Sequence, residues 1–160
     1  MSDPVVLRPG EGLPLRARGA RLLFKALGAD SGGAFSLMER VLPPGGRPPP
    51  PHTHPAASEA FYLLDGTLEF LLDAERTTVD AGGFVLVPGT VAHSFRNRAD
   101  RDARVLILHT PALDGYFRDL HELWSRPDPP GTTQEQELMV RHGLVPAGGW
   151  PPEPAVEPPV

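Results

Sequence analysis

Residues 46–66, GRPPPPHTHPAASEAFYLLDG, set the frame for the whole chain. Four prolines stiffen the approach to His52 and His54, which stand two residues apart, and Glu59 opens an apolar run. In extended backbone, residues i and i+2 point to the same side, so the two imidazoles converge on one point. The spacing from His54 to Glu59 has odd parity. The chain must therefore turn or bulge across residues 55–58 to bring the carboxylate round, and Pro and Ser suit that turn. Alone, such a pair reads as two surface histidines in a Pro-rich loop. The later stretch 82–97, GGFVLVPGTVAHSFRN, changes the balance, because it sets His93 between two strand-like runs. Three imidazoles and one carboxylate form a complete ligand set for a divalent first-row metal: Fe, Mn, Co, Ni, Cu or Zn.

The spacings also carry a family resemblance. Gly46, His52, His54, Glu59 and Gly66 stand at the positions of the first cupin motif, and after fifteen residues Gly82, Pro88, His93 and Asn97 stand at those of the second. The chain thus resembles the cupin family over residues 35–109. One position departs: Thr90 stands where the family usually has Gly, with Gly89 just before it. A glycine serving a positive-φ turn would shift by one residue without loss of the site. The resemblance implies an all-β fold, the double-stranded β-helix or jelly-roll barrel. It also implies one divalent transition metal on His52, His54, Glu59 and His93, leaving two open positions if the ion is octahedral. The run Glu59-Ala60-Phe61-Tyr62, then Leu64-Asp65-Gly66-Thr67, and His109-Thr110-Pro111 before a Tyr-Phe-containing helix, is similar to small single-domain bacterial cupins of the quercetin 2,3-dioxygenase type. That likeness implies a metal-dependent dioxygenase acting with O2 on an enolic or phenolic, flavonol-like small molecule. Glu59 would be both ligand and catalytic proton acceptor. The alternatives are a redox-neutral metal-dependent cyclase or isomerase, and a non-catalytic small-molecule-binding cupin, since fold does not decide function.

Strand alternation indicates what surrounds the metal. Phe61 and Leu63 share the parity of Glu59, and Phe95 and Asn97 that of His93, so these four are the expected pocket residues. His109 shares inward parity with Val105 and Ile107, as a residue near the site or a hydrogen-bonded core histidine. Inward positions otherwise read as mostly apolar, which counts against a sugar-phosphate isomerase, whose pocket would want cationic groups.

Composition bounds the rest. With 160 residues the chain has the length of one domain, and 21 prolines with 17 glycines favour short strands joined by tight turns. Residues 1–145 are expected to form the single domain with its two C-terminal helices, and residues 146–160 a Pro-rich, flexible tail. The absence of cysteine removes disulfides and thiolate ligands, leaving N and O donors. The opening MSDPVV has no basic or apolar leader, and no apolar run approaches the roughly 18 residues of a membrane span. A cytoplasmic protein with no membrane partner is expected. A net charge of −5, with fourteen arginines scattered rather than clustered, argues against nucleic acid and places most arginines on the surface. Neither a Gly-x-Ser-x-Gly elbow nor a Gly-rich phosphate loop is present.

Strands are expected at 5–8, 21–26, 35–42, 60–64, 67–72, 76–79, 84–87, 93–97 and 104–109. The early ones are candidates for an edge that pairs in a homodimer. Asp65-Gly66 reads as a two-residue hairpin turn with both residues at positive φ. Beyond Pro111, Tyr116, Phe117, Leu120, Leu123 and Trp124 mark one face of a helix behind an Asp114 N-cap. A second helix is expected from Thr132, with Glu135 completing a capping box, to Gly143.

Overall fold

The computed structural model describes residues 3–153. Eleven strands and two helices follow in chain order: β1 Leu13–Ala17, β2 Ala20–Ala26, β3 Ser36–Leu42, β4 His52–Thr53, β5 Ser58–Asp65, β6 Thr67–Leu72, β7 Glu75–Asp80, β8 Phe84–Val87, β9 His93–Arg96, β10 Ala103–Thr110, α1 Asp114–Trp124, α2 Thr132–Arg141 and β11 Val145–Pro146. The pairings are antiparallel and build a six-stranded sheet in the order β1-β2-β3-β10-β5-β8 and a five-stranded sheet in the order β11-β4-β9-β6-β7. This is the all-β jelly roll with two C-terminal helices that the sequence led us to expect. Period-two burial drives the closure: Met38 and Leu42 on β3, Phe61 and Leu63 on β5, and Val105 and Ile107 on β10 all point into the shared core. None of the described helices is long and apolar enough to cross a membrane.

Local signals misled at several points. Residues 5–8 form no strand; Val5 and Val6 are exposed, and β1 forms at residues 13–17 instead. Pro14 disguises that strand, but β1 lies at the sheet edge, where a missing N–H is tolerated. Asp65-Gly66 is not a hairpin turn, since β5 and β6 belong to different sheets. Of the two, only Gly66 has positive φ, and a Cβ there would sit 2.8 Å from the Asp102 carbonyl oxygen, so the glycine serves a corner between sheets. The two-residue turn with both φ positive is Arg18-Gly19, between the paired Ala17 and Ala20. Gly89 does not have positive φ either. Its lack of a side chain serves a close approach, because a Cβ would come within 2.2 Å of the His54 carbonyl oxygen.

The helices close one mouth of the barrel. Tyr116, Phe117, Leu120 and Leu123 form the buried face of α1, and the Phe117 ring lies 5.7 Å from that of Phe24 on β2. Asp114 is the first residue of α1 rather than its N-cap, and its Oδ1 accepts the Gly28 N–H at 2.8 Å. At α2 the residue reaching back to the Gly131 N–H is Gln134, not Glu135. Glu135 is instead fully buried and takes the Nε–H of Arg18 at 2.6 Å, while Arg18 also donates to the Tyr116 hydroxyl at 3.1 Å. The β1–β2 turn thus grips both helices. A bulky residue at φ 54° is strained, and these bonds hold it there.

Residues 146–153 are not loose. Val145–Pro146 pairs with β4, the Ala147 N–H donates to the Pro51 carbonyl, and the Trp150 indole N–H donates to Ser94 Oγ at 2.9 Å. The Trp150 ring lies under the Arg96 and Arg76 guanidinium groups at 4.2 and 5.4 Å, and Glu153 pairs with Arg76, Arg96 and Arg98. Composition suggested a flexible tail, yet this part forms a strap over the outer face of the five-stranded sheet. The expectation for residues 154–160 lies outside the described residues.

Two outcomes follow. Trp150→Ala, or truncation after Ala147, should remove about 1–2 kcal/mol of apolar and cation–π contact, or several degrees of Tm at about 2–4 °C per kcal/mol for a domain of this size; an unchanged Tm would show that the strap does not hold the sheet. Glu135→Ala leaves the buried Arg18 cation unpaired and should cost about 3–5 kcal/mol in denaturant unfolding. A loss below about 1 kcal/mol, the range of exposed pairs, would contradict that burial.

Candidate metal centre

Two cross-strand pairs build the centre. In the six-stranded sheet Glu59 of β5 lies opposite His109 of β10, and in the five-stranded sheet His52 of β4 lies opposite His93 of β9. Both pairs point inward, so closing the sheets brings them face to face. His54 enters from the chain beyond β4, where its backbone N–H donates to the Gly89 carbonyl at 3.0 Å. One ligand atom from each of His52, His54, Glu59 and His93 can be chosen so that all four lie within 4.8 Å of one another, and all four residues are buried.

Outer hydrogen bonds orient the rings. His52 Nδ1 lies 2.8 Å from the Pro50 carbonyl oxygen and His93 Nδ1 3.3 Å from that of Val91. With Nδ1–H donated outward, each ring turns an Nε2 lone pair toward the centre. His52 Nε2 then sits 2.9 Å from His54 Nε2, and His93 Nε2 2.7 Å from Glu59 Oε2, with His54 Nε2 3.3 Å from the same oxygen. Electron-pair donors pressed this closely together fit a bound cation, and a set of N and O donors suits a divalent first-row ion. Burial, then the neighbouring His93 and His54, push the His52 pKa down to about 3, so its lone pair stays free at neutral pH. Burial works to raise the Glu59 pKa, but His109 first, and the close approach of the His109, His54 and His93 rings to its oxygens, outweigh it and hold the carboxyl well below its ordinary value. Glu59 is therefore an anion.

The pocket residues expected from parity divide. Phe61 places its ring edge-on to His93 at 6.2 Å, and Phe95 lines the cavity beside the centre. Leu63 is packed in the core away from that cavity. Asn97 does not reach it: its side-chain amide donates to the Leu42 and Arg101 carbonyls and accepts the Ala99 N–H, tying down the loop after β9. His109 belongs beside the centre, its Nε2 3.0 Å from Glu59 Oε1 and its ring 5.0 Å from Phe117.

Sequence reading missed two cations. The cavity holds about 20 Å³ and is lined by Arg18 and Arg40 as well as His52, His54 and Glu59, with Tyr116 and Phe117 of α1 on its far wall. The arginines are only 3 and 2% exposed, so two cations face an interior whose inward positions were expected to be mostly apolar. Arg18 has Glu135 and Tyr116 as partners, whose attraction outweighs burial and keeps it charged. Arg40 makes no such contact; burial first, then repulsion from Arg18, outweighs the more distant attraction of Glu59, Tyr116 and Glu135 and lowers its pKa to about 9, which still leaves it cationic at neutral pH. A signal existed, because Arg40 shares the inward parity of Met38 and Leu42 on β3.

With this geometry in hand, similarity to known proteins can be placed. The cupin domain family model matches residues 38–109, which span both halves of the centre. The chain is 34% identical to quercetin 2,3-dioxygenase of Bacillus subtilis, with 61% of this chain and 29% of that protein covered. It is 30% identical to the polyketide synthase CurC of Streptomyces cyaneus, over 61% of this chain and 64% of the relative. It therefore spans less than two thirds of either protein. The solved polyketide cyclase RemF from Streptomyces resistomycificus superposes with a TM-score of 0.57 at 20% identity, covering 69% of this chain and 80% of that one. That level of likeness speaks to the fold. The chain is also 30% identical to protein SchB of Streptomyces halstedii, with 62% of this chain and 72% of that relative covered, and with the family model matched across both halves of the centre the chain belongs to the cupin family.

Proposed function

We propose that this chain is a metal-dependent, dioxygenase-like oxidoreductase acting on an enolic or phenolic small molecule. The observation that carries the reading is the buried, convergent donor set of three imidazoles, whose ring nitrogens gather at one point, and one ionised carboxylate. The similarity to a quercetin dioxygenase supports it. His52, His54, Glu59 and His93 would hold the ion. When bound, a divalent transition metal supplies Lewis acidity and open positions for substrate oxygens, and a redox-active one gives access to oxygen chemistry.

The chain's own residues do the rest. Glu59 offers a carboxylate to take the enol or phenol proton, while His109, hydrogen-bonded to Oε1, fixes its rotamer and leaves Oε2 turned to the centre. Phe61, Phe95 and Phe117 exclude water, which strengthens every charge interaction within. The resting cavity is smaller than any aromatic substrate, so entry requires its wall, which includes Pro49, Leu113, Tyr116 and Leu144, to open. One observation favours the redox-neutral cyclase or isomerase: the Glu59–His109 pair can move a proton with no oxidant, and a polyketide-related protein is among the similar sequences.

His52→Ala, His54→Ala and His93→Ala should each sharply lower metal content by elemental analysis while β-sheet circular dichroism persists; full retention by any one removes it from the ligand set. Glu59→Gln should keep part of the metal, through its amide oxygen, and lose turnover. A metal-loaded Glu59→Gln protein that turns over at the wild-type rate would eliminate the base role. Protein loaded separately with Fe, Mn, Co, Ni or Cu should consume O2 in an oxygen electrode when given a flavonol or an enolic diketone, and should stop after chelator treatment. Product formation without oxygen uptake would move the assignment to the cyclase or isomerase.

A further inference from the structure

Arg40 stands on the inward face of β3, opposite Leu22 on one side and Val105 on the other, where alternation calls for an apolar residue. Its guanidinium has no hydrogen-bond or ion-pair partner among the described residues. Nε is buried and unpaired, and the group's contact is with the face of Phe95, whose ring centroid lies 5.1 Å away. Arg18, which lines the same cavity, differs, because its charge is answered by Glu135. A buried cation with no contacting counterion destabilises the fold, and a methionine of similar volume would fill the position without that cost. The charge is therefore not explained by packing.

The cavity explains it. Arg40 shares this small space with His52, His54 and Glu59, so whatever binds at the centre has close by a guanidinium that no carboxylate contacts and that Glu59 attracts only from a distance. Charge balance points the same way. Arg18 and Glu135 cancel, Glu59 meets only part of a divalent ion's charge, and Arg40 adds a further positive charge, so the site lacks negative charge until a ligand brings it. A planar fork of N–H donors matches a carboxylate in geometry as well as in sign.

We infer that Arg40 is the recognition residue for a carboxylate on the substrate, making the ligand of this site an enolic or phenolic acid rather than a neutral flavonol-like compound. The carboxylate lies against Arg40 while the enol or phenol oxygens face Glu59 and the histidines. Arg18 adds long-range attraction but keeps its own partners. This rests on the metal-dependent reading above, which it narrows to a substrate class.

The test is calorimetric binding of 3,4-dihydroxybenzoate and of its neutral amide, 3,4-dihydroxybenzamide, to metal-loaded wild type, Arg40→Met and Arg40→Lys. Wild type should bind the acid at least about tenfold more tightly than the amide, the range of a charge-assisted hydrogen bond in a dry site. Arg40→Met should lose that preference with affinity for the amide retained, and Arg40→Lys should keep only part of it. Equal binding of acid and amide by wild type, or a preference that survives in Arg40→Met, overturns the assignment. Should Arg40→Met not fold, the wild-type comparison and Arg40→Lys decide, since a lysine variant as selective as wild type also overturns the role of the guanidinium fork. Elemental analysis of the same samples separates the two readings. Wild type that takes up no metal defeats the metal-dependent function, whereas a preference for the acid that Arg40→Met abolishes supports the subsite in either case.

Discussion

The opposition of Glu59–His109 in one sheet to His52–His93 in the other is the constraint on which the structure turns. Neither sheet alone makes a binding site. Each offers a polar pair on an otherwise apolar inner face, and a slip of one residue in either register would turn its pair outward. Once the sheets close, these groups have lost water and must satisfy one another. Glu59 consequently receives three histidines on two oxygens, and the backbone carbonyls of Pro50 and Val91 engage the outer nitrogens of two of the ligand rings. The fold thus places the cluster and, by excluding water, also sets its charge state.

Much of this could be read from the sequence, for physical reasons that also explain the failures. His52, His54 and Glu59 lie within eight residues, and His93 sits on a short strand of regular alternation, so parity and turn chemistry suffice to bring them together. Partners chosen by tertiary contact are another matter. Asp65-Gly66 has the chemistry of a tight turn whether the chain folds back within a sheet or crosses to the next, and only the pairing of β5 with β10 decides. Glu135 has the spacing of a capping residue, yet the Arg18 side chain, distant in sequence, claims it. Arg40 had legible parity, but the general rule that arginines are solvated outweighed it. In the strap, Pro, Gly and Glu imply disorder by composition; two arginines across the sheet supply the face against which Trp150 orders.

The two buried arginines show how one cavity separates structural from functional charge. Arg18 is locked by a carboxylate and a phenol, at a strained turn, and in that state it binds the helices to the barrel mouth. Arg40, lacking any such partner, contributes nothing comparable to cohesion. A chain selected for stability alone has reason to keep the first and replace the second.

The strap bears on more than the melting of one sheet. β4 is two residues long and pairs with β9 at the single position His52–His93, so two of its three paired positions lie with Val145–Pro146 on its other edge. His52 therefore sits on a segment whose rigidity is borrowed from the far end of the chain. Chelation is tight when donors are already held in place and weak when they must be ordered on binding. Proteolytic trimming near Val145, or a fusion that pulls the strap away, would raise the metal dissociation rate while leaving every ligand residue intact.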